Sequence, residues 1–341
     1  MTLLPYLHRV AAREHLSAAE AEEAMETILD GSASVAQIAA FLVALRMKGE
    51  IAPELVGFAR AMRRKASPLD LDLAGEPLLD TCGTGGDGAR TFNISTIAAF
   101  VAAGAGVKVA KHGNRSISSA CGSADVLECL GVKIAQEPDA VARAIREVGI
   151  GFLFAPAYHP AMKHAQPARL ELKMRTVFNL LGPLTNPAGA TAQLVGAPSE
   201  AEAELMAEAL AALGLARAFV AHGADGLDEI TTTGATLLFE IGPGQLTRRR
   251  VTPEDFGVPE AAPEDLRGGD ARHNAEIARA VLGGAHGPQR DIVLVNASAA
   301  LVAAGKAADF CQGVRQGAQS IDDGTARQAL EQLAAFTQRS A

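Results

Sequence analysis

The segment DTCGTGGDGARTFNIST, residues 80–96, is the stretch from which the fold of this chain can be predicted. It follows the short apolar run Pro77-Leu78-Leu79 and leads into an Ala-rich helical pattern from Ile97 to Ala103. This order predicts a strand, a loop and a helix, and the loop contains four glycines: Gly83, Gly85, Gly86 and Gly88. Because glycine lets backbone N–H groups turn towards an anion, and a helix start adds partial positive charge, the loop favours a phosphate ligand.

A tight turn between a strand and a helix is the simpler interpretation of such a glycine run. It leaves unexplained the hydroxyl, amide and carboxylate groups that stand among and after the glycines, on Thr84, Asp87, Thr91, Asn93, Ser95 and Thr96. The segment also lacks the Lys-Ser/Thr ending of a P-loop and the GxGxxG spacing of a dinucleotide-binding fold. The sequence therefore indicates a phosphate site of another type, and an acidic metal ligand and a basic partner are expected elsewhere in the chain.

Length and composition limit the class of protein. A chain of 341 residues predicts two domains, since single cores tend to stop growing near ~250 to 300 residues. The net charge of −8 argues against a nucleic-acid partner. The four cysteines show no paired spacing, which argues against a zinc site or a disulfide framework. With no signal-peptide pattern and no run of ~18 uncharged apolar residues, we expect a cytoplasmic protein without a membrane segment.

The hydrophobic periodicity predicts two kinds of architecture. Residues 1–66 read as short amphipathic helices, two of them opened by capping boxes at Ser17/Glu20 and Ser34/Gln37. From residue 71 onward, apolar runs alternate with helical patterns, which predicts an α/β sheet flanked by helices. The predicted strands are Leu78–Asp80, Val107–Ala110, Val132–Ile134, Gly151–Phe154, Leu194–Gly196, Ala218–Ala221 and Ala235–Ile241. The predicted helices include Ser123–Leu130, Pro138–Val148, Glu200–Leu213 and several after Asp270. The helical segment from Gln166 to Pro187 interrupts the alternation and is predicted to return to the N-terminal helices.

Two polar segments follow predicted strands, where open α/β sheets bind ligands. Lys111–Ser119, KHGNRSISS, offers cations for phosphate and an amide for a carboxylate or a ribose, although a solvated loop is the alternative. Asp225–Ile230, DGLDEI, contains adjacent Asp228 and Glu229. Such a pair is common on protein surfaces, but after a strand in a phosphate-binding protein it fits magnesium, which takes one or two carboxylates together with substrate phosphates.

A third segment, Gly151–His164, ends in two histidines and is followed by Arg169. His159 and His164 are five residues apart rather than four, so they are not predicted to share one helix face as metal ligands. Each histidine of this region, like His112, is by itself most simply an ordinary loop residue. An arginine beside an apolar pocket would suit an aromatic carboxylate.

Five motifs in this order, DTCGTGGDGARTFNIST, VAKHGNRS, FLFAPAYHPAMKH, LGPLTNP and DGLDEI, together resemble the anthranilate phosphoribosyltransferase family over essentially the whole chain. The resemblance implies a small all-helical domain, residues 1–70 completed by a helical insertion at about 166–190. It also implies a larger α/β domain, residues 71–341 without the insertion, with a central, mostly parallel sheet flanked by helices. A homodimer formed through the small domains and a substrate tunnel between the domains are further expectations.

The resemblance also implies which residues bind the two substrates, phosphoribosyl pyrophosphate (PRPP) and anthranilate. Two Mg²⁺ ions per subunit are expected on Ser95, Asp228 and Glu229, with Glu229 shared between them. Anthranilate is expected at Gly83, Asn114 and Arg169, with His112, Tyr158, His159 and Pro183 along its path. PRPP is expected at Gly83, Gly86, Asp87, Thr91, Asn93, Ile94, Ser95, Thr96, Lys111, His112, Gly113, Asn114, Arg115, Ser116, Ile117, Ser118, Ser119 and Ser123.

The implied reaction is attack of the anthranilate amine on C1 of the ribose as pyrophosphate leaves, a step of tryptophan biosynthesis. Stabilising the leaving charge matters more here than a strong base, and no residue is assigned as a general base. Two alternatives stay open. One is a pyrimidine nucleoside phosphorylase-like enzyme of related fold, although its glycine loop differs. The other is a catalytically silent relative that binds nucleic acid, which the charge of −8 and the DGLDEI motif disfavour.

Overall fold

A computed structural model describes residues 2–116 and 121–339. Its N-terminal part is a bundle of four helices: α1 (Leu4–Ala11), α2 (Ala18–Leu29), α3 (Val35–Lys48) and α4 (Ala52–Lys65). Both predicted capping boxes are confirmed. The Ser17 side chain accepts from the backbone N–H of Glu20, and the Glu20 carboxylate accepts from the N–H of Ser17. Ser34 and Gln37 make the same reciprocal pair at the start of α3. Local side-chain chemistry therefore sets where these helices begin.

Glu54 makes contacts at the ends of three bundle helices. Its carboxylate, which is fully buried, accepts from the backbone N–H of Leu16 before α2 at 2.9 Å and from Ile51 before α4 at 3.1 Å. It also forms a 3.0 Å ion pair with Lys48 at the end of α3, whose side chain is 1% exposed. A buried carboxylate is stable only with such a complete set of donors, so the bundle depends on all of them.

Within the described residues, a seven-stranded sheet forms the centre of the larger region. The strands are β1 (Leu78–Gly83), β2 (Lys108–Gly113), β3 (Ile150–Phe154), β4 (Ala192–Gly196), β5 (Arg217–Gly223), β6 (Thr236–Gly242) and β7 (Gln245–Val251). Their order is β3-β2-β1-β4-β5-β6-β7, with β1 to β5 parallel and the last two pairings antiparallel. The parallel arrangement brings the carboxyl ends of β1, β2 and β4 to one edge.

Helices cover both faces of the sheet. Along β5, Phe219 and Ala221 belong to one hydrophobic cluster, whereas Ala218 and Val220 belong to the other. The first cluster contains residues of five helices: α5 (Ile94–Gly104), α12 (Ala271–Leu282), α13 (Pro288–Ala303), α14 (Phe310–Asp322) and α15 (Thr325–Arg339). The second contains residues of α11 (Glu200–Ala212) and of the N-terminal bundle. Such two-sided burial is typical of parallel sheets.

The other helices of the described residues lie between β2 and β4. They are α6 (Ser123–Cys129), α7 (Pro138–Val148), α8 (Ala155–Tyr158), α9 (Gln166–Leu172) and α10 (Phe178–Leu184). Short 3₁₀ turns are found at Pro160–His164, Pro253–Phe256 and Pro263–Leu266.

The predicted fold class, a helical bundle with a mostly parallel α/β sheet, is confirmed. The inserted segment also returns to the bundle as predicted, because α9 and α10 pack on α3 and α4. Their apolar residues share one core with the bundle and one face of the sheet. The boundaries 1–70, 166–190 and 71–341 stay predictions, since this shared core runs across them. No helix among residues 2–116 and 121–339 has the length and apolarity to span a bilayer.

One predicted strand was wrong, and one observed strand was not predicted. The segment from Val132 to Ile134 is not a strand; the Val132 N–H bonds to the carbonyl oxygen of Leu127 at the end of α6, and both apolar side chains fill the core beside it. Its apolar character reflects burial without sheet pairing. The strand β7, sequence QLTRRRV, was missed because an exposed edge strand rich in arginine lacks the alternating pattern of a half-buried one.

The Glu54 contacts predict a large loss of stability on truncation. We expect Glu54→Ala to lower the free energy of unfolding by roughly 3 to 5 kcal/mol, because it leaves the buried Lys48 ammonium without its counter-ion and the N–H groups of Leu16 and Ile51 without their acceptor. Urea unfolding followed by circular dichroism measures this. The control is Glu14→Ala, which removes an exposed pair with Arg9 and should leave the free energy of unfolding nearly unchanged, because solvent screens that pair. Equal losses for the two variants would contradict the role given to Glu54.

Candidate active site

The glycine loop lies at the edge where β1 and β4 end. β1 ends at Gly83, β4 ends at Gly196, and the Thr84 N–H bonds to the carbonyl oxygen of Gly196 at 2.9 Å. The chain then runs through the glycines to α5, which begins at Ile94. The predicted order of strand, loop and helix is therefore observed, and the loop is placed where open α/β sheets bind ligands.

The acidic pair Asp228 and Glu229 lies directly on this loop, although about 140 residues separate the two in sequence. One carboxylate oxygen of Asp228 accepts from the Gly85 N–H at 2.8 Å, and Glu229 accepts from the Ser95 N–H at 3.1 Å. The backbone of Asp228 passes so close to β4 that a Cβ on Gly196 would overlap its carbonyl oxygen. Only glycine at position 196 allows the Asp228 backbone to come this close. The end of β4 therefore permits the acidic segment to lie against the sheet.

The acidic pair is left with little compensating positive charge. Burial raises the pKa of Glu229 to about 7, and burial with the negative charges of Asp87 and Glu229 raises the pKa of Asp228 well above its ordinary value. The buried ammonium of Lys111 opposes the shift at Glu229, but it already donates to the Thr81 carbonyl oxygen at 2.5 Å. Carboxylates that burial and like charges destabilise are suited to a cation.

A magnesium ion fits the residues present here. Hard cations prefer oxygen ligands, and Asp228, Glu229 and the Ser95 hydroxyl, which hydrogen-bonds to Glu229, supply them. Among the described residues, no group of three or more His, Cys, Asp or Glu side chains forms a metal site. A cation bound at the acidic pair would therefore complete its coordination shell with oxygens that do not come from these side chains, such as those of a bound phosphate.

The loop after β2 lies beside the glycine loop. Lys111 and His112 are buried in the strand, and Asn114 is exposed beyond it. Arg115 is engaged with α6, where it pairs with Asp125 at 2.9 Å and Glu128 at 2.7 Å. The backbone N–H of Ser116 donates to Asp125, and the Ser123 hydroxyl donates to the Asn114 carbonyl oxygen. The predicted ligands Ile117, Ser118 and Ser119 lie outside the described residues.

His112 and His159, predicted along the path of the aromatic substrate, lie together. Their ring centroids are 5.3 Å apart, and Nδ1 of His112 is 3.1 Å from the carbonyl oxygen of Gly182. Burial lowers the pKa of His112 to about 4 and that of His159 to about 3, so both rings are neutral near pH 7. The Nε2 atoms of both rings are buried without a partner among the described residues.

The other acceptor-side residues occupy different surroundings. Pro183 follows Gly182 in α10, and its carbonyl oxygen accepts from Gln193 at 2.8 Å. Tyr158 lies instead in a separate apolar cluster with Leu78 and Leu153, and its buried hydroxyl has no partner among the described residues. The Arg169 guanidinium lies over the Phe178 ring, 5.2 Å from its centroid, and this side chain makes no hydrogen bond or ion pair within residues 2–116 and 121–339. It thus offers a free guanidinium beside an aromatic surface.

Two residues that touch the glycine-loop region were not predicted from the sequence. Asn274 of α12 is buried, donates to the Asn93 side chain at 3.0 Å and accepts from the Gly269 N–H at 2.7 Å. Its signal was a lone amide on the apolar face of a helix, which is weak. Arg175 donates to the carbonyl oxygen of Gly85 at 2.5 Å, and its sequence context gave no signal at all.

The chain matches models of two parts of one family. Residues 4–66 match the helical bundle domain of a glycosyl transferase family, and residues 75–327 match the a/b domain of a glycosyl transferase family. Together the two matches cover most of the chain, and they divide it between the bundle and the sheet as described above.

Full-length relatives agree with this assignment. An anthranilate phosphoribosyltransferase of Solibacter usitatus is 67% identical over 98% of this chain and 99% of its own. The crystal structure of the Thermus thermophilus enzyme has a TM-score of 0.92 at 46% identity, covering 97% and 99% of the two chains. Structures of the Saccharomyces cerevisiae enzyme, one in complex with PRPP and Mg and one with 4-fluoroanthranilate, have TM-scores of 0.90 and 0.88 at 29% and 28% identity, each covering 99% of this chain and 98% of the other. The chain therefore belongs to the anthranilate phosphoribosyltransferase family.

Proposed function

We propose that this chain transfers the 5-phosphoribosyl group of PRPP to the amine of anthranilate, giving N-(5-phosphoribosyl)anthranilate and pyrophosphate. The observation that carries the proposal is the placement of Asp228 and Glu229 on the N–H groups of the glycine loop and of the first turn of α5. Backbone N–H donors and an acidic cation site therefore lie next to each other. A pyrophosphate that binds together with a metal ion requires this arrangement. The reaction forms the bond from the amine nitrogen to C1 and breaks the bond from C1 to the pyrophosphate oxygen.

The donor side of the site is formed by the loops after β1 and β2 together with the acidic pair. Ser95, Asp228 and Glu229 hold magnesium in this proposal, with two ions per subunit. When bound, the metal neutralises charge that develops on the leaving pyrophosphate. Lys111 lies within reach of Glu229 and adds fixed positive charge beneath the loop. The predicted PRPP residues of the two loops bind the rest of the substrate.

The acceptor side favours an aromatic carboxylate. The unpaired guanidinium of Arg169 binds the anthranilate carboxylate in a charge-assisted pair, and Gly83 and Asn114 complete the pocket. His112 and His159 stay neutral and so add no competing positive charge near the amine. We assign no general base, because an aromatic amine that attacks an oxocarbenium-like carbon needs little help before the bond forms.

The proposed reaction can be tested by one assay. Purified protein with PRPP, anthranilate and Mg²⁺ should convert anthranilate, which is followed by its fluorescence, at a rate proportional to enzyme concentration. Removal of magnesium with a chelator should abolish turnover, since the pyrophosphate charge is then left without its counter-ion. Phosphorolysis of a pyrimidine nucleoside without activity on PRPP would contradict the proposal and favour the phosphorylase alternative. Inactivity with tight, salt-sensitive DNA binding would favour the nucleic-acid-binding relative.

The two acidic residues should respond differently to substitution. Glu229→Gln should lower kcat by roughly 100-fold or more, because the proposal gives Glu229 to both ions. Asp228→Asn should cost less and be partly rescued by raised magnesium, since its defect is mainly one of ion affinity. Turnover of both variants against Mg²⁺ concentration at saturating substrates measures this. Asp225→Asn is the control, because Asp225 in the same loop accepts instead from Thr231 and Thr233. Magnesium curves like that of the wild type for both test variants would remove the acidic pair from the site.

We also propose that the chain forms a homodimer through the small helical domain and acts in the cytoplasm, a reducing compartment that agrees with the absence of paired cysteine spacing in the sequence. Six large apolar side chains are exposed in the described residues, and five of them lie on α1, on α3, or in and just after α9: Leu4, Val35, Met47, Leu170 and Met174. Both α1 and α9 pack on α3, so the helices that carry or precede these residues are neighbours in the bundle. Apolar surface of this kind is typical of an interface.

The dimer proposal predicts which substitutions yield a monomer. Met47→Glu and Val35→Glu should each raise the dimer dissociation constant by roughly tenfold or more, because a carboxylate is then buried in an apolar contact. Sedimentation analysis over a range of concentrations measures it. Leu246→Glu on β7 is the matched control, since Leu246 is similarly exposed but lies outside the bundle. Dissociation caused by the Leu246 variant alone would place the interface on the sheet edge instead.

A further inference from the structure

Arg175 bridges three parts of the chain at the glycine loop. It lies between α9 and α10, and its guanidinium donates to the carbonyl oxygen of Gly85 at 2.5 Å. Its other terminal nitrogen pairs with Glu202, in the first turn of α11, at 3.0 Å. Both side chains are about a quarter exposed, so solvent only partly screens the pair. We call these two contacts the Arg175 bridge.

The bridge holds the Gly85 residue from one side while the acidic pair holds it from the other. The Gly85 N–H donates to Asp228 at 2.8 Å, and the Gly85 carbonyl oxygen accepts from Arg175. In a planar trans peptide the carbonyl and the following N–H point in opposite directions. The contact with Arg175 therefore turns the Gly86 N–H away from the guanidinium. That N–H makes no hydrogen bond within the described parts of the chain, so it is free to donate to a ligand.

The sequence of the loop fits this contact. Gly86 has a φ of +85°, which favours glycine, and a Cβ at this position would overlap the Arg175 guanidinium. The preceding Gly85 also has a positive φ, of +67°. The backbone conformation thus favours glycine at position 86, and a side chain there would displace the Arg175 guanidinium from its present position. A merely flexible loop would require neither feature.

We propose that Arg175, fixed by Glu202, is a positioning residue that holds the glycine loop with a free N–H donor directed towards the pyrophosphate of PRPP. This inference rests on the proposed function, and it deepens that function by joining the donor loop to the connector between α9 and α10. The same connector follows α9, which carries Arg169. The segment that presents the guanidinium for anthranilate therefore also orders the loop for PRPP. Arg175 acts through the loop backbone and is not itself a catalytic residue.

The test uses substitutions on both sides of the bridge. Arg175→Ala should raise the KM for PRPP by roughly tenfold, the effect of losing about one charge-assisted hydrogen bond, while the KM for anthranilate changes less than about twofold. Arg175→Lys should lie between wild type and Arg175→Ala, because it keeps a charge but only one point of contact. Glu202→Gln should show a smaller increase. In the double variant, Arg175→Ala with Glu202→Gln, the loss should not exceed that of Arg175→Ala alone, since both act through one bridge.

A second readout does not depend on activity. Hydrogen exchange of ligand-free protein should become roughly tenfold faster for backbone amides of residues 84–88 in Arg175→Ala, with exchange in β1 and α11 unchanged. Arg248→Ala is the matched control, because Arg248 pairs with Glu200 in the same first turn of α11 but does not touch the loop. It should leave both the KM for PRPP and the loop exchange as in the wild type.

Each outcome decides one of two questions. Unchanged KM and unchanged loop exchange in a folded Arg175→Ala variant would overturn the positioning role. A lower KM for PRPP would also overturn it, because Arg175 would then restrain the loop against the ligand. If Arg175→Ala does not fold, Arg175→Lys and Glu202→Gln decide by the same two measurements. A wild-type protein without activity on PRPP and anthranilate would instead refute the proposed function, and the exchange of ligand-free protein would still test the bridge.

Discussion

The close approach of the Asp228 backbone to Gly196 is the constraint on which the rest of the site depends. It brings an acidic segment from the loop after β5 over the ends of β1 and β4, where it meets the glycine loop. A side chain on Gly196 would hold the segment away and separate both carboxylates from the N–H donors they now contact. The parallel sheet supplies this edge, and the two helix-covered faces keep the edge rigid.

The two sides of the site have opposite electrostatic character. On the proposed donor side, burial and nearby negative charge raise the pKa values of the Asp228 and Glu229 carboxylates, and in our proposal a metal bound with a pyrophosphate supplies the compensating positive charge. On the proposed acceptor side, the Arg169 guanidinium lies over the Phe178 ring, and the rings of His112 and His159 are neutral near pH 7. Asn186, just after α10, links that helix to the sheet, because its amide donates to Asp80 of β1 and to the Ala110 carbonyl oxygen of β2. This division matches two substrates, one with several negative charges and one that is an aromatic carboxylate.

The sequence was sufficient to predict those features that neighbouring residues determine. The glycine loop, the capping boxes of Ser17 and Ser34, and the helix Pro138–Val148 were predicted because caps, turns and periodicity are written into adjacent residues. The sequence was not sufficient where contacts between distant parts of the chain determine the structure. The apolar run at Val132 is buried without strand pairing, and the arginine-rich β7 has no alternating pattern. Arg175 and Asn274 reach the glycine-loop segment through partners about 90 and 180 residues away in sequence. The predicted roles of the site residues rest on resemblance, which supplied what spacing alone could not.

The central claim is that the acidic pair and the glycine loop together form one metal and phosphate site. Its most direct test is a crystal of this protein soaked with PRPP and Mn²⁺ in place of magnesium, with anomalous scattering used to locate the metal. The account predicts anomalous peaks within roughly 2.5 Å of carboxylate oxygens of Asp228 and Glu229, with the pyrophosphate against the loop that begins at Gly83. Peaks bound only to carboxylates elsewhere, or a pyrophosphate seated away from the glycine loop, would contradict it.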